Sequence, residues 1–307
     1  MNAAIRAVVR CAHFNKLRVT GIMGGYDGLI NAAFRDLGPR DVSNVIQRGG
    51  TMLRSARSEA FRDRTGRANA AAMLRAHGID ALVTIGGNGT QTGALLLHQE
   101  QGVRVVGVAS TIDNDLQGTD RSIGHDTACN TAVEAIDRLR DTASSHDRVF
   151  FVEVMGRDTG HIAARCALAA GAEFVLVPER RQRVEELAEA LARTSTTKTS
   201  SIVIVAEGDE EGGAFDIARR VQALVPSLDT RVCVLGHLQR GGAPTVADRE
   251  LASLLGAAAV EGLMEGRIDD LAGMVNGRIA FTPLAEAVAT PKPLDPELLR
   301  VAAILAC

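Results

Sequence analysis

Residues 110–120, STIDNDLQGTD, set three carboxylates, Asp113, Asp115 and Asp120, directly after the apolar run VRVVGVA at 103–109. In an extended stretch, carboxylates two residues apart face one side, roughly 7 Å from each other. That is too far to share a proton and suits a division of labour. One can accept a proton from an attacking hydroxyl while the other neutralises a metal–phosphate complex. Other apolar runs end in groups that complete such chemistry. ALVTIGG (81–87) continues into NGTQTGA, so Gly86, Gly87 and Gly89 precede a helix and offer free N–H groups and a positive helix end to phosphate. RVFFVEVM (148–155) leads into GRDTG, with Arg157 expected at a helix start. SIVIVAE (201–207) ends on Glu207, and RVCVLGH (231–237) brings His237 and then Arg240 past its end. Each loop alone reads as a solvated turn; together they fit phosphoryl transfer to a sugar hydroxyl. Neither GxGxxG nor GxxxxGK[ST] occurs, which argues against a dinucleotide oxidoreductase and a Walker-type NTPase.

These groups need elements to hold them. Strands are expected at 18–23, 81–87, 103–109, 148–155, 174–178, 201–207 and 231–237, mostly as continuous apolar runs, the pattern of strands covered on both faces. Helical stripes lie between them: Ala128, Ala132, Ala135, Ile136, Leu139 and Ala143 share a face, as do Val184, Leu187, Ala188 and Leu191, and Leu251, Leu254, Leu255, Ala258 and Gly262. Such alternation predicts an α/β fold of two lobes, each a mostly parallel sheet flanked by helices. In open sheets of this kind ligands collect beyond the carboxyl ends of the strands, where the groups above lie.

Composition narrows the partners. The 307 residues suffice for two lobes, and a net charge of −3 gives no general pull toward nucleic acid or acidic membranes. Trp is absent and Tyr occurs once, so no aromatic platform for nucleic acid is expected. No run of 18 apolar residues suggests a membrane span, and MNAAIRAVVRCAHFNK is too short and too charged for a signal peptide. Cys11, Cys129, Cys166, Cys233 and Cys307 lie far apart, without CxxC spacing, and read as reduced, mostly buried thiols of a cytoplasmic protein.

Two arginines do not fit the reactive edge. Arg148 and Arg231 are expected to begin their strands, each about 20 Å from that strand's far end. One reading is solvated cations; the other is a phosphate fork for a neighbouring subunit, since a guanidinium binds phosphate bidentately and stays charged. The second makes the protein an oligomer.

With these residues in hand, the chain resembles the bacterial-type ATP-dependent 6-phosphofructokinases. The likeness runs through MNAAIRAVVR, RGGTMLRSAR, IGGNGT, TIDNDLQGTDRSIG, EAIDRLRDTASSH, VEVMGR, GAEFVLVPE and VLGHLQRGG, in order and over nearly the whole chain. The resemblance implies transfer of the γ-phosphoryl of ATP to the 1-hydroxyl of fructose 6-phosphate, with Mg²⁺, in a cytoplasmic homotetramer. It implies Asp113 as the base, flanked by Thr111 and Asp115, with Arg157 steadying the transition state. Met155, Gly156, Glu207, His237 and Arg240 would hold the sugar phosphate, joined by Arg148 and Arg231 of a neighbour. Arg57, Ser58, Gly87, Asn88, Gly89 and Thr90 would lie along the nucleotide. Arg6, Arg10, Arg140, Glu173 and Lys198 match positions that bind ADP or phosphoenolpyruvate at a subunit boundary. It also implies a nucleotide lobe of 1–124 with about 244–290 and a sugar-phosphate lobe of 125–243 with about 291–307.

Several positions depart from that pattern. The family's pyrophosphate-using branch carries Asp where this chain has Gly89, and Lys where it has Ser110; glycine leaves room for a nucleotide, so ATP is the expected donor. Thr196 and Pro39 replace a lysine and an arginine of the effector site, so weaker regulation is expected. Asn88 stands where an aspartate helps hold Mg²⁺, so a weaker metal site is expected. Family members carry a hydrophobic strand and a Gly-Gly-Asp-x-Pro-Gly loop ahead of MNAAIR, so the true start is expected upstream of Met1. The alternative is a non-catalytic relative that only binds sugar phosphate or nucleotide.

Overall fold

A computed structural model describes residues 1–143, 148–195 and 200–306. The chain divides into two units, one comprising Met1–Thr111, Leu116–Gly124 and Ala243–Lys292, the other Ile112–Asp115, His125–Gly242 and Pro293–Cys307.

The first unit opens with α1 (Asn2–Phe14) and a short ribbon of β1 (Thr20–Ile22) antiparallel to β2 (Phe34–Asp36), with α2 (Gly25–Ile30) between them. α3 (Glu59–Arg62) and α4 (Arg64–Ala76) lead into β3 (Ala81–Gly86), α5 (Asn88–Gln101) and β4 (Arg104–Ala109). The second unit holds α6 (His125–Ala143), β5 (Arg148–Val154), α7 (His161–Ala170), β6 (Phe174–Leu176) and α8 (Val184–Thr194). β7 (Ser201–Ala206), α9 (Ala214–Leu224), β8 (Asp229–Val234) and a 3-10 turn at Gly236–Arg240 follow. α10 (Val246–Met264), β9 (Asp270–Val275), β10 (Arg278–Pro283) and α11 (Leu284–Ala287) belong to the first unit, and α12 (Pro296–Leu305) to the second.

The sheet of the first unit runs β10-β9-β4-β3, parallel except for the β9–β10 hairpin. Asn276 and Gly277 turn that hairpin with φ of 51° and 73°, a two-residue loop whose positive φ values match the twist of the strands it joins. α1 lies so close to α10 that a Cβ on Gly256 would sit 2.8 Å from the Ala4 carbonyl oxygen.

The second sheet, β6-β7-β5-β8, is wholly parallel. Its residues alternate between two cores: Phe150, Val152, Ile202 and Ile204 face α6 and α7, whereas Phe151, Val203 and Val205 face α8 and α9. Both faces are covered, which is why these strands are continuous apolar runs. Each side chain so buried contributes about 1.5–3 kcal/mol.

The α/β architecture matches the expected class, with four differences in detail. Residues 18–23 do not join a parallel sheet: Gly24 and Gly25, both at positive φ, turn the chain into α2 after three residues of pairing. β2, β9 and β10 are not among the expected strands. Arg231 is the third residue of β8 rather than its first, because pairing starts at Asp229 opposite Arg148. Strand pairing at β8 stops at Val234, where the backbone turns into the 3-10 segment. Cys129 and Cys166 are buried and Cys11 and Cys233 half-buried, all four as free thiols, while Cys307 lies outside the described residues. Among the described residues no helix is long and apolar enough to cross a membrane.

Candidate active site

In the second unit the geometry centres on the turn after β5. Gly156 takes φ +146°, and a Cβ there would meet the Thr159 carbonyl oxygen at 2.6 Å. Arg157 follows at φ +53°, so it lies in this turn and not at a helix start; α7 begins four residues later, at His161. Gly208 makes room for the turn, since a Cβ on it would fall 2.1 Å from the Arg157 carbonyl oxygen. Glu207, just past β7, accepts the N–H groups of Gly156 and Arg157 on Oε1 at 3.2 and 2.7 Å. Its carboxylate therefore shapes the turn as well as being exposed beside it.

From that turn the Arg157 guanidinium reaches Asp113, Nε to Oδ2 at 3.3 Å. Asp113 is 2 % exposed, and Asn114 and Asp115 are buried beside it. The extended geometry expected for 113–115 is absent: residues 112 and 113 bend, and Asn114 sits in the left-handed region at φ +57°. Asn tolerates that region better than most residues do. The Thr159 hydroxyl bridges the Gly156 carbonyl at 2.9 Å and the Asp113 carbonyl at 3.4 Å, tying the acid's loop to the arginine's turn.

Met155 is buried, and its N–H donates to Oε1 of Gln239 at 2.8 Å. Gln239 is itself 1 % exposed on the 3-10 turn whose exposed positions are His237, Leu238 and Arg240. This buried amide, which no sequence pattern marks, ties the turn carrying His237 and Arg240 to the turn carrying Gly156 and Arg157. At the opposite end of the same sheet, Arg148 bonds Asp229 (Nε to Oδ2, 3.0 Å), and Arg231 pairs with the other oxygen of the same carboxylate.

In the first unit, β3 delivers Gly87 as the residue before α5, with the N–H groups of Thr90 and Gln91 both returned to its carbonyl. Gly87 packs against Thr111, where a Cβ would come within 3.1 Å of the threonine Cβ, whereas a Cβ on Gly89 would meet nothing within 4 Å. The Asn88 Oδ1 accepts the Thr92 hydroxyl at 3.1 Å. Gln91, fully buried, fixes the turn: it bonds Thr84, the Gly86 carbonyl and the Val108 carbonyl, linking α5 to both strands. Gly107 leaves the space that its amide fills. Ser58 caps α3 by accepting the Phe61 N–H at 3.3 Å and donates to Asp27; Arg57 beside it is exposed.

Of the expected effector residues, Arg6 and Arg10 lie on α1 of the first unit. In the second, Arg140 donates to the Ala170 and Gly171 carbonyls at the end of α7 and faces Glu173 at 3.9 Å. Glu173 also accepts the Ile202 N–H. Lys198 and Thr196 lie outside the described residues.

Comparison with known proteins gives one family. A family model described as "Phosphofructokinase" matches residues 1–263. The "ATP-dependent 6-phosphofructokinase 1" of Thermus thermophilus is 54 % identical over 307 residues, covering all of this chain and 95 % of its own. The "ATP-dependent 6-phosphofructokinase" of Cytophaga hutchinsonii is 52 % identical over 303 residues, 98 % of this chain and 92 % of its own. Among solved structures, Pichia pastoris phosphofructokinase in the T-state superposes with a TM-score of 0.87 at 33 % identity, over 99 % of this chain and 35 % of the longer fungal one.

Proposed function

Because this chain belongs to the phosphofructokinase family, we infer that it is an ATP-dependent 6-phosphofructokinase, moving the γ-phosphoryl of ATP to the 1-hydroxyl of fructose 6-phosphate in glycolysis. The observation that carries the reading is the buried Asp113 carboxylate under the Arg157 guanidinium. Asp113 takes the proton of the 1-hydroxyl as that oxygen bonds to the γ-phosphorus and the bond to the bridging oxygen of ADP breaks. Arg157 stabilises the charge that spreads over the transferring group. Thr111 and Asp115 flank the base. Glu207, His237, Arg240 and the Met155–Gly156 backbone hold the sugar phosphate, while Arg57, Ser58 and the turn Gly87 to Thr90 take the nucleotide.

The open space at Gly89 supports ATP over pyrophosphate as donor. Mg²⁺ enters on the nucleotide's phosphates and is part of the substrate. Among the described residues no three acidic, histidine or cysteine side chains converge as a cage, and Mg²⁺ commonly takes most of its ligands from phosphate and water. The Asn88 amide oxygen offers it a neutral contact only. A neighbouring subunit supplies Arg148 and Arg231 in a homotetramer, and Arg6, Arg10, Arg140, Glu173 and Lys198 receive ADP or phosphoenolpyruvate. Free thiols suit a cytoplasmic setting.

Asp113→Asn in a coupled assay tests the assignment. Turnover with ATP and fructose 6-phosphate should fall roughly 10²–10⁴-fold, the usual worth of a general base. Parent-like turnover, or turnover with pyrophosphate in place of ATP, would overturn it.

A further inference from the structure

Asp113 is held through the peptides on either side of it, and the firmer hold comes from a histidine. The Ile112 carbonyl, in the peptide that leads into Asp113, lies 2.7 Å from Nδ1 of His125. On the far side, the Asp113 carbonyl accepts a longer bond, 3.4 Å, from Thr159, whose hydroxyl sits nearer Gly156. A carbonyl has no proton to give, so Nδ1 carries the hydrogen. His125 opens α6, is 1 % exposed, and turns Nε2 toward the Cys129 sulfur, one helical turn on, at 3.7 Å. The Cys166 thiol, and after it His125, draw the Cys129 thiol toward ionisation against the burial that opposes it. Whether sulfur or Nε2 holds the shared proton, Nδ1–H is untouched. The bond to Ile112 is therefore maintained in either state.

We propose that His125 is a positioning residue for the reaction: by fixing the peptide between Ile112 and Asp113 it aims the Asp113 carboxylate at the substrate hydroxyl. This rests on Asp113 being the base. Asn114 sits in the left-handed region at φ +57° and residues 111–116 belong to no strand or helix, so bonds from outside the loop such as this one help to set its path. A histidine that only filled space at the start of α6 would affect folding, with no selective effect on turnover.

The His125→Phe, His125→Asn and His125→Gln variants separate these roles, because the Asn amide reaches the place of Nδ1 and the Gln amide that of Nε2. The Phe and Gln variants should lose about tenfold in kcat, the equivalent of one hydrogen bond, with KM for both substrates within about twofold of the parent. The Asn variant should recover to within about threefold. A folded Phe variant with parental kcat, or an Asn variant as slow as the Gln one, would overturn the inference. If the Phe variant does not fold, the Asn–Gln contrast decides alone. Asp113→Asn, measured alongside, separates two failures: an active Asp113→Asn enzyme sinks the base itself, whereas a flat His125 series with an inactive Asp113→Asn enzyme sinks only the positioning role.

Discussion

Arg157 spans two environments: its Nε lies 3.3 Å from Asp113 Oδ2, yet its side chain is 57 % exposed while the carboxylate beneath is 2 % exposed. An ion pair with one partner so wet is screened, and contributes no more than about 1 kcal/mol to folding. The left-handed backbone at Arg157 and the glycine at 208 are thus better explained by the need to present a guanidinium than by stability.

Arg157→Ala should accordingly lower kcat roughly 10²–10³-fold, the range seen when a charge-stabilising donor is lost. Its melting temperature should move by only a few degrees. Arg157→Lys should recover little, since a point charge does not replace a planar fork. Steady-state kinetics beside thermal melts check this; a large loss of stability with unchanged kcat would reassign Arg157 to folding.

Gly89 makes a prediction whose stability and activity parts have opposite signs. It stands in the first turn of α5, and a Cβ there meets nothing within 4 Å. Gly89→Asp should therefore fold as well as the parent or slightly better, a carboxylate near a helix start being worth about 0.3–1 kcal/mol. The same charge opposes the nucleotide's phosphates, so KM for ATP should rise about tenfold or more, with KM for fructose 6-phosphate little changed. Unaltered ATP kinetics would remove this turn from the nucleotide site.

The parts of the fold that are legible in the sequence are those where burial dictates composition. β5 and β7 are covered on both faces and have to be apolar throughout, so their bounds can be read directly. The β9–β10 hairpin carries a visible Asn276–Gly277 signal, but its strands, DLAGMV and RIAFTP, neither alternate nor form long β-branched runs and look weak beside the parallel ones. The residues that hold the site in place are hidden for another reason. Gln91, Gln239 and His125 act through backbone carbonyls or N–H groups far away in sequence, and nothing in the local pattern marks a polar residue as buried. The expected extended 113–115 fails because one left-handed asparagine, invisible to periodicity, bends the loop.

Asp229 decides what Arg148 and Arg231 are for. It faces Arg148 in strand register and stands two residues before Arg231, on the same side of β8, so each carboxylate oxygen takes one guanidinium. If the pair serves only the sheet, Asp229→Asn should cost stability and leave substrate kinetics alone. If the two cations receive a sugar phosphate from a neighbouring subunit, Asp229 also repels that phosphate. The groups are a quarter to a half exposed, so water's screening applies: two charges about 7 Å apart then repel by about 0.6 kcal/mol, close to threefold in affinity. An asparagine keeps one acceptor oxygen and replaces the other with an NH2 donor, so one guanidinium keeps its partner and the other is released to the phosphate. Asp229→Asn should thus lower KM for fructose 6-phosphate about threefold, and raising the salt concentration should shrink the difference. Arg148→Ala and Arg231→Ala should raise the same KM, and none of the three should alter KM for ATP. An Asp229→Asn enzyme with unchanged fructose 6-phosphate kinetics and a lowered melting temperature would leave the arginines as ordinary strand ion pairs.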